Sequence, residues 1–268
     1  MEHRHLAVKL PLRQIDAFTS RLFGGNPAAV VLLDAWLADE TLQAIALENN
    51  LSETAFVIPR AERSPLRWFT PTTEVELCGH ATLAAAHVLF EECFPKTDRL
   101  SFETLGGELA VERDDGLLHL DFPSRPGKPV ELTAPLVSAI GARPSEVRLA
   151  RDLLAVFDSE AQVVAFRPDF DRIRELDAFA LIVTAPGEAV DFVSRFFAPR
   201  AGVAEDPVTG SAHCTLIPYW AARLGKTKLR ARQLSRRGGE LACELRGDRV
   251  RIGGTTVEYL RGEIHVPN

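Results

Sequence analysis

The chain has 268 residues, enough for one large or two medium domains, and 46% of them are hydrophobic, enough for a sizeable core. A net charge of −6 without a Lys/Arg block argues against nucleic acid as a partner, and no apolar run reaches the roughly 18 residues needed to span a bilayer. The N-terminal stretch lacks the apolar core of a signal peptide, which points to the cytoplasm, and four scattered cysteines without a C-x-x-C argue against disulfides or a zinc knuckle.

In chain order, residues 8–18 read as a strand with Val8, Leu10 and Leu12 on one parity. GGNP at 24–27 reads as a turn, and 28–33 as a buried strand. Asp39 is a candidate N-cap for a helix to about Glu48. Residues 51–58 are strand-like, and alternation puts Glu53 on the same face as Leu51, Ala55 and Val57. A carboxylate on an apolar face is costly if charged and unpaired. A further strand is expected at 65–69. Gly79 then opens a helix through Phe90 that is apolar nearly all round, the pattern of a buried helix. Strands follow at 100–104, 107–113 and 117–122, the last two joined by Asp114-Asp115-Gly116. Residues 123–129 read as a linker.

In the second half, Thr133 is a candidate cap for a short helix ending at Gly141. Strands are expected at 147–150, 153–157, 162–167 and 179–184, with a short helix at 169–176. The pattern at 190–197 does not choose between helix and strand. Residues 211–224 form a second apolar helix with Gly225 just past its end. Strands close the chain at 228–235, 241–245, 249–252 and 256–260.

The chain repeats itself. Phe69-Thr70-Pro71, Gly79 and Gly106-Gly107-Glu108-Leu109-Ala110 are answered by Phe197-Ala198-Pro199, Gly210 and Gly238-Gly239-Glu240-Leu241-Ala242, at offsets of 128, 131 and 132 residues. This implies a tandem duplication, with two similar β-rich domains each wrapped around one buried helix. The helix starts at Gly79-His80 and Gly210-Ser211 are expected to face one another across a cleft. Each presents free N–H groups and the positive end of a helix dipole, a cradle for a small carboxylate.

Around those starts the sequence offers Cys78, His80, Asp206 and Ser211, with Glu53 on its strand. His and carboxylates are the usual proton-transfer groups, and desolvation of Glu53 would raise its pKa toward that of a general acid. Bland readings stand beside each: a salt-bridged Glu53, an ordinary polar His80 at a helix start, Asp206 as a turn carboxylate, Ser211 as a plain N-cap. Cys78 is matched by Thr209, which disfavours a two-thiol racemase. His87 and the other cysteines read as buried residues. No metal site is expected, and neither P-loop nor G-x-G-x-x-G occurs.

The set QIDAFTS, GGNPAAVV, NLSETAFV, EVELCGHATLA and EDPVTGSAHC resembles the PhzF-like phenazine-biosynthesis isomerase family, over essentially the whole chain. The resemblance implies an α+β, diaminopimelate-epimerase-like fold of two pseudo-symmetric, β-barrel-like domains, each around a central helix. It places the first domain at 1–122 with a returning strand at 256–268, and the second at 130–255. It implies a cofactor-independent isomerase, commonly a homodimer, acting on a small carboxylated substrate; the family's namesake isomerises trans-2,3-dihydro-3-hydroxyanthranilate. It implies Glu53 as proton-transferring acid/base, His80, Asp206 and Ser211 as active-site partners, and Gly79 and Gly210 as backbone that holds the carboxylate.

Overall fold

The computed structural model describes residues 8–266; the leader-less reading of the first seven residues and the last two of the returning strand lie outside them. The chain opens with β1 (Val8–Ala17), β2 (Asn26–Leu32), α1 (Asp39–Asn49), β3 (Glu53–Val57), β4 (Ser64–Phe69), β5 (Glu74–Val75) and α2 (Gly79–Val88). β6 (Arg99–Thr104), β7 (Gly107–Asp114) and β8 (Leu117–Pro123) follow. Then come β9 (Lys128–Pro129), α3 (Ala134–Ile140), β10 (Glu146–Leu149), β11 (Leu153–Val156), α4 (Glu160–Ala165) and α5 (Phe170–Arg174). β12 (Leu181–Pro186), β13 (Phe192–Phe197), α6 (Gly210–Leu224), β14 (Lys228–Gln233), β15 (Gly239–Arg246) and β16 (Arg249–Gly254) lead to the last strand, β17 (Thr256–Val266). Two compact units result: one runs to Leu120 and takes the chain back from Thr255, the other is Asp121–Gly254.

In the first unit β17 and β2 flank β1, both antiparallel. β2–β3 is parallel, β3–β4 antiparallel, β4–β6 parallel, and β6–β7 and β7–β8 antiparallel. In the second unit β9 and β11 flank β10, both antiparallel. β11–β12 is parallel, β12–β13 antiparallel, β13–β14 parallel, and β14–β15 and β15–β16 antiparallel. The two strings of pairings are identical, so the repeat read in the sequence is a repeat of topology. β17 plays on β1 the part that β9 plays on β10.

Strands with both faces covered read as continuous apolar runs, and β2 is such a strand, with Ala28, Ala29, Val30 and Val31 all buried. On one face lies α2, which touches β1, β2, β3, β7 and β17, strands near both ends of the sheet, so the sheet curls around it. Its residues from His80 to Ala86 are all buried. On the other face α1 packs Leu42, Ile45 and Ala46 against Leu12, Val31 and Phe56. In the second unit α6 lies against β14, β15 and β16, while α3, α4 and α5 contribute to a core with Leu153, Leu181 and Phe197.

Pro218 sits inside α6 and cannot supply the N–H that would bond the Cys214 carbonyl. The backbone N–H of Arg125 takes that carbonyl instead, at 2.8 Å.

Several local expectations are corrected. Residues 162–167 are not a strand: α4 forms because Ser159 and Gln162 make a reciprocal capping box. Asp39 is not the N-cap of α1: Ala38 is, and the Asp39 carboxylate accepts from Arg67 at 2.8 Å. Asn26 and Pro27 belong to β2 rather than to a turn. α2 stops at Val88 and passes into a π-helical turn to Cys93. Residues 192–197, left open by the pattern, are a strand.

Candidate active site

The first unit brings together Glu53, Cys78, Gly79 and His80. Glu53 opens β3, half-buried, and Ala28 of β2 is its neighbour in the sheet. His80 is the second residue of α2 and 5% exposed. Glu53 Oε2 and His80 Nε2 stand 3.1 Å apart. Both atoms are shut off from solvent, and neither makes a hydrogen bond.

The opposite ring nitrogen, Nδ1, lies 3.2 Å from Asn26 Nδ2 and 3.5 Å from Cys78 Sγ. In its neutral form the ring would accept from that amide at Nδ1 and carry its proton on Nε2. Ser52 Oγ donates to Asn26 Oδ1 at 3.4 Å and steadies that amide. Burial by itself depresses the His80 pKa, but the facing Cys78 and Glu53 outweigh it and hold the imidazole well above its ordinary value. The Cys78 thiol is pushed up by burial and then by Glu53, so it stays protonated near pH 7.

α2 begins at Gly79 after an extended Cys78, and no side chain caps it. Its first-turn N–H groups therefore point out of the helix without an intrahelical acceptor. The ligand atoms of Glu53, Cys78 and His80 all lie within 4.8 Å of one another, a spacing that could hold a metal ion. The thiol and the carboxylate face opposite ring nitrogens, however, so one ion at either nitrogen would lose the other ligand unless side chains turned.

The second unit carries Asp206, Gly210 and Ser211. α6 starts at Gly210 after Thr209, again without a side-chain cap. Ser211 is therefore not the N-cap, as one reading had it: it is the second helical residue, and its Oγ accepts from Arg151 at 3.2 Å. Arg151 is gripped from behind by the buried Asp152, at 3.0 Å to each oxygen, and lies over the Phe179 ring. The Asp206 carboxylate accepts from the Thr209 hydroxyl, and Gln233 bonds both residues. His213 is fully buried, its Nδ1 donating to the Thr209 carbonyl at 2.8 Å, and burial drops its pKa to about 4.

The duplication is chemically lopsided. Phe69 pairs with Thr54, and its counterpart Phe197 pairs with Leu181. Glu53, one residue before Thr54, therefore corresponds to Ala180. The acid exists in one copy only.

Asn26, Arg151, Asp152 and Gln233 were not singled out from sequence. Gln233 had a visible signal: β14 alternates strictly, which puts Gln233 on the buried face with Leu229 and Ala231. Arg151 and Asp152 had none, since an Arg-Asp pair before an apolar strand is ordinary. His87 is satisfied, bonded through Nδ1 to Thr256 Oγ1 at 2.9 Å, and all four cysteines are free thiols.

The family profile described as "Phenazine biosynthesis-like protein" matches residues 15–262. The chain belongs to this PhzC–PhzF family. An uncharacterised isomerase of Pseudomonas aeruginosa is 55% identical across 97% of this chain and all of its own length. A PhzF-family crystal structure from Enterococcus faecalis, 45% identical, superposes with a TM-score of 0.94 over 97% of this chain and all of that one. A hydroxyproline epimerase from Agrobacterium vitis shares only 10% identity but the same fold, with a TM-score of 0.61 over all of this chain and 95% of the other. The chain is thus an isomerase-like protein of the PhzF family with the α+β, epimerase-like fold. No helix among the described residues is long and apolar enough to cross a membrane.

Proposed function

We propose that this protein is a cofactor-independent isomerase that moves a proton on a small carboxylated, dihydro-hydroxyanthranilate-like substrate. The observation that carries the reading is the buried contact of Glu53 Oε2 with His80 Nε2 at 3.1 Å, neither atom committed elsewhere. Such a pair can pass one proton between a carboxyl and an imidazole, so Glu53 can give a proton to a carbon and take one back. The uncapped start of α2 at Gly79, and that of α6 at Gly210 with Ser211 and Arg151, supply N–H donors suited to a carboxylate. Asp206 contributes a carboxylate at the second helix start. The same reading makes the protein a cytoplasmic biosynthetic enzyme that works as a homodimer.

The test is solvent deuterium exchange. Purified protein is screened against carboxylated metabolites by thermal shift, and hits are incubated in deuterated water. Wild type should incorporate deuterium into the substrate. Glu53→Gln should bind with similar affinity but lose at least about a thousandfold in exchange. Normal exchange by that variant would overturn the proton-shuttle role, and binding without exchange by wild type would favour a non-catalytic binding protein.

A second reading, an amino-acid racemase or epimerase using one thiol, draws on the Cys78 Sγ at 3.5 Å from His80 Nδ1. The raised pKa of that thiol weighs against it. Cys78→Ser should leave exchange nearly intact; its loss would promote the thiol reading.

A further inference from the structure

We infer that Gln233, acting through Thr209, orients a hydroxyl donor onto Asp206 Oδ2 and so favours the proton-accepting carboxylate at the start of α6. The inference deepens the reading above and rests on Asp206 being an active-site group.

Gln233 ends β14 and is 1% exposed. Its Oε1 accepts the backbone N–H of Thr209 at 2.9 Å. Only the carbonyl end of an amide can do this, so Nε2 must face the other way. There it donates to the Asp206 carbonyl at 2.8 Å and to Thr209 Oγ1 at 3.1 Å. Two backbone groups, one donor and one acceptor, thus agree on a single amide orientation.

The next link follows from proton counting. The Thr209 hydroxyl has one proton, and an N–H of Gln233 already points at its oxygen. It must accept there and send its proton to the partner on its other side, Asp206 Oδ2. A proton on that oxygen would meet the hydroxyl proton head-on, so Oδ2 is an acceptor, and a donor held on it favours the charged form of the carboxyl over the neutral one. His213 secures the same loop from behind through the Thr209 carbonyl. The neighbouring carboxylate, Glu205, is engaged with Arg195 at 2.7 and 3.1 Å.

The first unit lacks the device. Gln233 pairs with Gly239 at the hairpin end, where the first unit pairs Thr104 with Gly107. The Thr104 hydroxyl donates to the Gly107 carbonyl instead. In the second unit Asp206 Oδ2 is thereby set as an acceptor. Gln233 and Thr209 are positioning residues.

The Asp206 carboxyl carbon is followed by NMR titration in the full chain, assigned by comparison with Asp206→Asn, for wild type, Thr209→Ser, Thr209→Val and Gln233→Met, with a thermal melt of each. Thr209→Ser should keep the wild-type midpoint. Thr209→Val and Gln233→Met should raise it by about one pH unit, because the charged form loses its oriented donor. An unchanged midpoint in Thr209→Val, with or without a lower melting temperature, would overturn the inference and leave Gln233 a packing residue. Should Gln233→Met fail to fold, Thr209→Val, which leaves the backbone bonds of Gln233 in place, still decides. None of these readouts needs turnover, so the Glu53 exchange test can fail independently.

Discussion

His80 is held by two demands that pull in different directions. The Asn26 amide N–H faces Nδ1 and favours the neutral ring, while the Glu53 carboxylate at Nε2 favours the imidazolium. Cys78 and Glu53 together prevail, since the pKa is raised despite burial. A histidine raised on folding stabilises the native state fully below its unfolded pKa of about 6.5, and that stabilisation is lost as pH rises through the folded value. Stability should therefore decline on the alkaline side of about pH 6.5. In Glu53→Gln one of the two groups that raise the ring is gone, so the His80 midpoint should fall and this alkaline decline should weaken. Imidazole titration by NMR, with melts from pH 5 to 9, checks both. His213 shows the contrary case. With no charged partner, burial outweighs the bond from Nδ1 to the Thr209 carbonyl, and the ring stays neutral down to about pH 4. Two buried histidines are thus shifted in opposite directions, and Cys78 and Glu53 make the difference.

Each candidate side chain is aimed by an element whose ends are fixed with little tolerance. Asn26 reaches His80 because β2 begins directly after Gly25, which has φ +59°. A Cβ at Gly25 would lie 2.0 Å from the Ala17 carbonyl oxygen, so backbone would have to move. Gly25→Ala should cost roughly 2 kcal/mol or more, from the clash and the left-handed strain together, and should displace Asn26. Denaturant unfolding measures the first effect, and the loss of the Asn26 contact appears as a shifted His80 nitrogen resonance. α2 was legible as a buried helix from its uninterrupted apolar residues. Its uncapped start follows from the same sequence, since Cys78 and Gly79 offer no side-chain oxygen. α4 was misread because Val163 and Val164 suggested a strand. The capping box at Ser159 and Gln162 supplied local hydrogen bonds that outweighed that preference.

The molecule as a whole is a duplicated topology that the chain enters and leaves through the same unit. β17 pairs with β1 through ten residue pairs, although more than 230 residues separate them in sequence. It covers β1, whose other edge is taken by β2. Truncation after Gly254 should thus strip one side of β1 and leave the first unit unfolded. The second unit, which contains no part of β17, should keep its amide protection. Hydrogen exchange on the truncated chain distinguishes this from uniform loss.

The duplication was readable because it copies short motifs at near-constant spacing, and so were the two buried helices and the candidates Glu53, His80, Asp206 and Ser211. These are properties of residue type and order, which local patterning records. The partners Asn26, Arg151, Asp152 and Gln233 were decided only in three dimensions. Asn26 lies 54 residues from His80, and Gln233 24 residues from Thr209. A hydrogen bond needs an atom within about 3 Å in a given direction, and strand register sets that distance and direction. The sequence by itself determined which groups could carry a proton. The tertiary structure decided that Glu53 meets a histidine rather than an arginine, and that its counterpart in the second copy is Ala180.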